Sequence, residues 1–187
     1  MSQTAERLHP AAVTYDPLTK LLHWVTAVLV LALFALSQIW PFVPSREARG
    51  VLELTHISLG VLLALAIVLR IAWRLGWGRR LPHAEPGLPG LAADALHKLL
   101  YVLIVLQVLA GLSKRWVRGR GVGFFGLFDI PPPLTIPPGL RMAVNWVHHW
   151  DAWLIMALVA GHAGAALFHH YVIRDGVLRR MLRQPVA

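Results

Sequence analysis

Residues 144–173 read VNWVHHWDAWLIMALVAGHAGAALFHHYVI. The stretch is long and apolar enough to cross a bilayer, which takes about 20 residues of helix. Within it His148 and His162 lie 14 residues apart, and His169 follows 7 later. A helix turns by about 100° per residue, so both intervals return to nearly the same face. At a rise of ~1.5 Å per residue, 14 residues separate two side chains by ~21 Å along the axis. One helix therefore carries a histidine near each leaflet, both turned to the same side. An ionisable ring in lipid is costly without a partner, so each of these histidines needs something to face.

Three other segments reach spanning length, at about 17–40, 51–75 and 91–116. Asp16 is a natural N-cap for the first, with Pro17 at the first helical position, and Pro41 and Pro44 close it. The second is interrupted by Glu53, His56 and Arg70, and the third carries His97 and Lys98 near its start. Gly76, Gly78, Pro82, Pro86, Gly87, Pro89 and Gly90 mark the loop between them. The longest connection, 117–143, is rich in Gly and Pro. Its apolar run Phe124-Phe125-Gly126-Leu127-Phe128 is too short to cross and is expected to lie in the interface or dip into it. A basic tail, 174–187, follows the fourth span. No internal repeat, low-complexity tract or soluble domain is visible. The expectation is an all-α integral membrane four-helix bundle, a single transmembrane domain over residues 1–187.

Composition agrees. Hydrophobic residues make up 57% and charged residues only 14%, where soluble domains carry about 25% charged residues. The net charge of +9 does not point to nucleic acid, because the basic residues flank apolar helices, where they anchor against membrane lipid. The first twenty residues, with Pro10, Asp16 and Pro17, lack the basic-then-apolar order of a cleaved signal, so the run from Leu21 to Trp40 reads as a span. Four spans put both termini on one side. That side holds nine Lys and Arg against seven on the other, with Arg70 and Lys98 of the total of 18 nearer the first. The positive-inside rule then favours cytoplasmic termini. "Inner" below denotes the side of the termini and "outer" the opposite side.

The remaining histidines match by depth. The chain has ten. His56 lies one turn inside the outer end of the second span, level with His148. His23 lies 18 residues from Pro41 and His162 lies 17 from Asn145, so these two share a deeper level. Two imidazoles facing across a gap on different helices are what a planar porphyrin needs for axial ligands on both faces. With no cysteine in the chain, disulfides, iron–sulfur ligation and thioether attachment of haem are excluded. Two non-covalent haems b are therefore expected, one per level. Gly60 and the run Gly161-His162-Ala163-Gly164-Ala165-Ala166 offer room for a flat macrocycle, and equally for close helix packing. Arg70, on the face of His56 and 14 residues on, needs an anion; a haem propionate would serve, and snorkelling to headgroups is the plainer alternative.

His97 also falls at the inner depth, and His169 and His170 lie nearer the inner surface, so one of these could replace His23 or His162 as a ligand. As non-ligands they suit a proton path to a quinone, since histidine titrates near neutral pH. His149 points about 100° away from His148 and reads as structural, and His9 and His83 carry no signal.

Taken together, Leu22-His23-Trp24, Thr55-His56-Ile57-Ser58-Leu59-Gly60 continuing to Arg70, His97, the Phe-Gly-rich loop running into Pro131, His148, Gly161-His162 and His169-His170-Tyr171 resemble the prokaryotic cytochrome b561 family. These are di-haem membrane cytochromes related to the cytochrome b subunits of nickel–iron hydrogenases, and the resemblance covers nearly the whole chain. It implies that His23 and His162 ligate an inner haem and His56 and His148 an outer one. It further implies a bacterial inner-membrane location and electron exchange with ubiquinone or another quinone. Some members of the family resemble superoxide oxidases. In that light Lys114, Arg115, Arg118, Arg120 and Arg141 on the outer side would attract an anion, lipid anchoring or propionate pairing being the competing reading. One departure is local: His149 stands where an acid is expected, so the surroundings of the outer haem differ.

Two other functions compete. The chain could be a cytochrome b subunit accepting electrons from a separate dehydrogenase or hydrogenase. It could also be a transporter using the histidines for zinc or copper directly, which would need several ligands converging on one ion.

Overall fold

The computed structural model describes residues 14–82, 87–133 and 135–182. Arg7, His9, Pro10, His83, Pro86 and the end of the basic tail from 183 lie outside the described residues. The order is α1 (Pro17–Ile39), α2 (Arg46–Gly76), α3 (Leu88–Trp116), β1 (Val122–Phe124), β2 (Phe128–Ile130), α4 (Arg141–Phe168) and a short α5 (Arg179–Leu182). A 3-10 turn, Trp40–Phe42, ends α1, and a π turn, His169–Ile173, continues α4.

Among the described residues four helices are long and apolar enough to span a membrane. The protein is an all-α membrane bundle. Asp16 caps α1 as its sequence suggests: one carboxylate oxygen accepts the Thr19 amide at 2.8 Å and the other the Thr19 hydroxyl at 2.6 Å. Burial alone would raise its pKa, but these donors, with the Arg79 amide and the Trp73 indole, outweigh it and hold the carboxyl at about 2. At the other ends the helices run beyond the apolar stretches. α2 begins at Arg46, where Ser45 accepts the Ala48 amide at 3.2 Å, rather than at 51. α3 begins at Leu88 and α4 at Arg141, each three residues early. Hydropathy marks the part of a helix that sits in hydrocarbon, whereas hydrogen bonding carries the helix on into the headgroup region.

The 117–143 connection holds a hairpin that composition did not reveal. β1 and β2 pair antiparallel, with Val122 opposite Ile130, Gly123 opposite Asp129 and Phe124 opposite Phe128.

Apolar side chains such as Val28, Leu65, Val102 and Leu109 point outward and are more than half exposed, as suits a surface solvated by lipid. All four long helices contribute to the buried centre, formed by Leu33, Leu63, Ile67, Leu103, Ile104 and Ile155. Ile155 lies midway between His148 and His162, and Leu63 midway between His56 and Arg70. The core therefore forms an apolar layer between an outer and an inner polar level. α1 packs on α2, α2 on α3 and α3 on α4, while among the described residues α4 does not pack comparably on α1 or α2. A gap remains between the helices that carry facing histidines.

Candidate functional site

Across that gap the histidines meet in two layers. The rings of His56 and His148 have centroids 6.4 Å apart at 76°, and those of His23 and His162 6.2 Å apart at 68°. A metal-bound imidazole nitrogen lies about 2.0–2.1 Å from the ion and ~1.1 Å from its own ring centroid, so two rings on opposite sides of one ion have centroids about 6.3 Å apart. Both pairs fit that separation. His97 also approaches His162, at 5.1 Å; this is too close for an ion between the two rings, and it leaves His23 as the better counterpart of His162.

The outer pair is the more fully prepared. His148 Nδ1–H donates to the Gln107 carbonyl of α3 at 3.3 Å, which leaves the Nε2 lone pair free to bind a metal. The ring can come this near α3 because residue 111 is glycine: a Cβ there would lie 3.1 Å from His148 Cε1 and 3.5 Å from Nδ1. The edge of Trp40 steadies His56, with centroids 5.2 Å apart. Between the rings opens a cavity of about 750 Å³ whose wall includes His56, His148, Gly60, Gly111 and Trp40, within the range of roughly 300–1,000 Å³ common for ligand sites. A Cβ at Gly60 would meet nothing within 4 Å. The donor set, the ring spacing and this open cradle fit a flat macrocycle held by two imidazoles. Gly111→Ala should force His148 to yield by a few tenths of an ångström, and Gly111→Leu should displace its ring. The expected outcome is a lower haem-to-protein ratio in the purified Leu variant, with the Ala variant close to normal content but shifted in haem potential.

Lys114, Arg115, Arg118 and Arg120 line the same cavity, joined by Arg49 and Glu53. Arg115 is committed locally, to Glu53 at 3.4 Å and to the Gly121 carbonyl at 3.1 Å. Arg141 does not line the cavity. His149, read as structural, lies on the cavity wall with its ring edge against Trp150 at 5.2 Å.

At the inner level Arg70 donates to His23 Nδ1 at 2.9 Å and lies 4.9 Å above the ring of Tyr101. The edge of Trp24 stands 5.3 Å from the His23 ring. His169 and His170 are not drawn into this layer. His169 Nδ1 bonds to Asp175, and His170 stacks edge-on with Tyr171 at 4.8 Å. Among the described residues no three His, Asp or Glu side chains converge as a cage for a metal ion.

Gln107, Gly111, Trp40, Tyr101 and Asp175 were not singled out by the sequence. A signal existed for Gly111, which lies 14 residues after His97 on the same face of α3, the interval that also relates His56 to Arg70 and His148 to His162.

A bundle of membrane-spanning helices with imidazoles facing one another across a gap defines the class of integral membrane proteins that hold a cofactor between their helices. Residues 14–184 match the family model described as prokaryotic cytochrome b561, and the chain belongs to that family. It is 32% identical over 173 residues to cytochrome b561 homolog 2 of Escherichia coli strain K12, covering 90% of each chain. It is 28% identical over 165 residues to cytochrome b561 homolog 1 of the same organism, covering 86% of this chain and 92% of that one. A probable superoxide oxidase, CybB, of Yersinia pestis is 27% identical over 163 residues, covering 86% and 91%. Family membership makes this a bacterial membrane protein of electron transfer that binds b-type haem.

Proposed function

We propose that the chain is a single transmembrane domain holding two haems b and passing electrons from superoxide at its outer face to ubiquinone at its inner face, in the bacterial inner membrane with cytoplasmic termini. The observation that carries this reading is the two cross-helix histidine pairs, separated by 6.4 and 6.2 Å between ring centroids. His56 and His148 would hold the outer haem, His23 and His162 the inner one. Bound haem supplies a reversible one-electron ferrous–ferric couple.

The chain's own residues then have distinct tasks. Gln107 holds the His148 proton on Nδ1 and so fixes which nitrogen is offered. His23, while it accepts from Arg70, carries its proton on Nε2; to act as a ligand it must move that proton to Nδ1 and release Arg70. The freed guanidinium would then be available to an anionic haem propionate, a counter-charge for an arginine that is part-buried. The apolar layer of Leu33, Leu63 and Ile155 keeps water from the space between the two levels. Lys114, Arg118 and Arg120 at the cavity mouth attract an anionic donor. The overall change is 2 O₂•⁻ + quinone + 2 H⁺ → 2 O₂ + quinol, so protons must be taken up where the quinone is reduced. His97 at the inner level, with His169 and His170 nearer the inner surface, would pass them. The CybB relative, a probable superoxide oxidase, supports the choice of donor.

A pyridine haemochrome measurement on the purified protein is expected to return two haems per chain, and the same preparation with quinone should consume superoxide without a second protein. One haem per chain overturns the two-site assignment. Two haems without superoxide consumption favour a cytochrome subunit fed by a separate dehydrogenase.

A further inference from the structure

The hairpin between α3 and α4 is not used by this mechanism, and its surface is unusual for a loop. We infer that it is a re-entrant anchor whose tip, Phe124-Phe125-Gly126-Leu127-Phe128, sits in the acyl boundary of the outer-side leaflet and packs against phospholipid. The tip contains no charge, and Phe125, Leu127 and Phe128 are 45%, 76% and 55% exposed. Phe124 and Phe128 stack across the strands at 5.1 Å.

One bond ties the tip to α2. The Phe125 amide donates to Ser58 Oγ at 2.7 Å, and the Ser58 hydroxyl donates to the Leu54 carbonyl at 2.8 Å. Ser58 is fully buried and stands two residues deeper than His56. It lies seven residues past Val51, where the apolar part of α2 begins, which is ~10 Å along the axis. Loop backbone at such depth is tolerated only when its polar groups are satisfied within the protein. Here β1 and β2 pair with each other, the Leu127 amide donates to the Phe124 carbonyl at 2.8 Å, and Ser58 takes the Phe125 amide. Phe125 has φ +47°, an unfavourable conformation for a bulky residue; it places the amide on Ser58 while the ring turns outward.

The apolar surface is continuous with the lipid-facing side of α2. Leu54, itself exposed, reaches to 3.3 Å from where a Cβ of Gly123 would stand, and Leu65 continues the surface more than half exposed. Asp129, the first charge after the tip, folds its carboxylate back over Gly121 and Gly123, toward the base of the hairpin and the headgroups. The opposite side of the hairpin carries Val122, 1% exposed, into the wall of the outer cavity. Lipid around the tip thus holds one wall of the outer site in place.

Because the chain has no cysteine, Leu127→Cys accepts a single nitroxide label. The full-length labelled protein would be reconstituted in vesicles of phosphatidylethanolamine and phosphatidylglycerol, its haem spectrum checking the fold. Val102→Cys on the lipid-facing side of α3 and Thr135→Cys in the outer loop serve as references. The ratio of collision with oxygen to collision with a water-soluble nickel chelate is expected to be several-fold higher at 127 than at 135, and near that at 102. A ratio at 127 equal to that at 135 overturns the inference. So does dipolar broadening between labels at 127 with low access to both reagents, which would make a second copy of the chain the occupant.

Discussion

His162→Ala is expected to remove the inner haem and leave the outer one, halving the pyridine haemochrome content per chain. The remaining haem should keep its own band and midpoint potential. This selectivity follows from the bundle. His162 and His148 are ~21 Å apart along α4, with Ile155 and the buried leucines between them, and sites that far apart respond independently. Truncating the ring also leaves His23 beside Arg70, the bond seen at 2.9 Å, so the vacated inner site has a ready resting arrangement. Full retention of both haems would refute the assignment of His162. His97 is then the next ring to examine, since it stands 5.1 Å from His162.

Replacing Lys114, Arg118 and Arg120 together by Gln is expected to slow superoxide oxidation by about tenfold or more at low ionic strength, the lower range of electrostatic steering. The gap between wild type and variant should close as salt rises, because the screening length falls to about 8 Å at 0.15 M. Reduction by a neutral donor should be unaffected, since the haem ligands are untouched. Arg115 is left in place because it is tied to Glu53 and Gly121, so its loss would disturb the hairpin as well as the field. Arg141→Gln, away from the cavity wall, should change the rate little. Stopped-flow traces at two salt concentrations test this, and equal rates for wild type and triple variant would assign the basic residues to lipid anchoring.

Much of the architecture was readable because lipid imposes a simple rule. A spanning helix must be apolar over about 20 residues, and any polar group within it has to be matched. The four segments and the two levels of histidine follow from this rule with helical periodicity. The helix ends were less legible, since Arg46, Glu47 and Leu88 lie in stretches whose helicity depends on caps and hydrogen bonds, not on hydropathy. The hairpin was illegible for a different reason. Its strands are three residues each, too short for alternation to show, and its tip is tied to Ser58, 67 residues away in the chain.

Among site residues the same division holds. The 14-residue interval between His148 and His162 is a property of one helix, so the chain alone determined that two imidazoles share a face at two depths. The membrane location follows from the composition, and b-type haem from membership of the family. Which imidazole faces which is a matter between helices: depth left His97, His169 and His23 as rivals for His162, and only packing brought His23 to 6.2 Å and turned His169 to Asp175. The roles of Gln107 and Gly111 likewise arise from α3 lying against α4. Periodicity orders residues along one axis, whereas the angle and distance between axes come from side chains of several helices packing at once. Tertiary structure alone decided those.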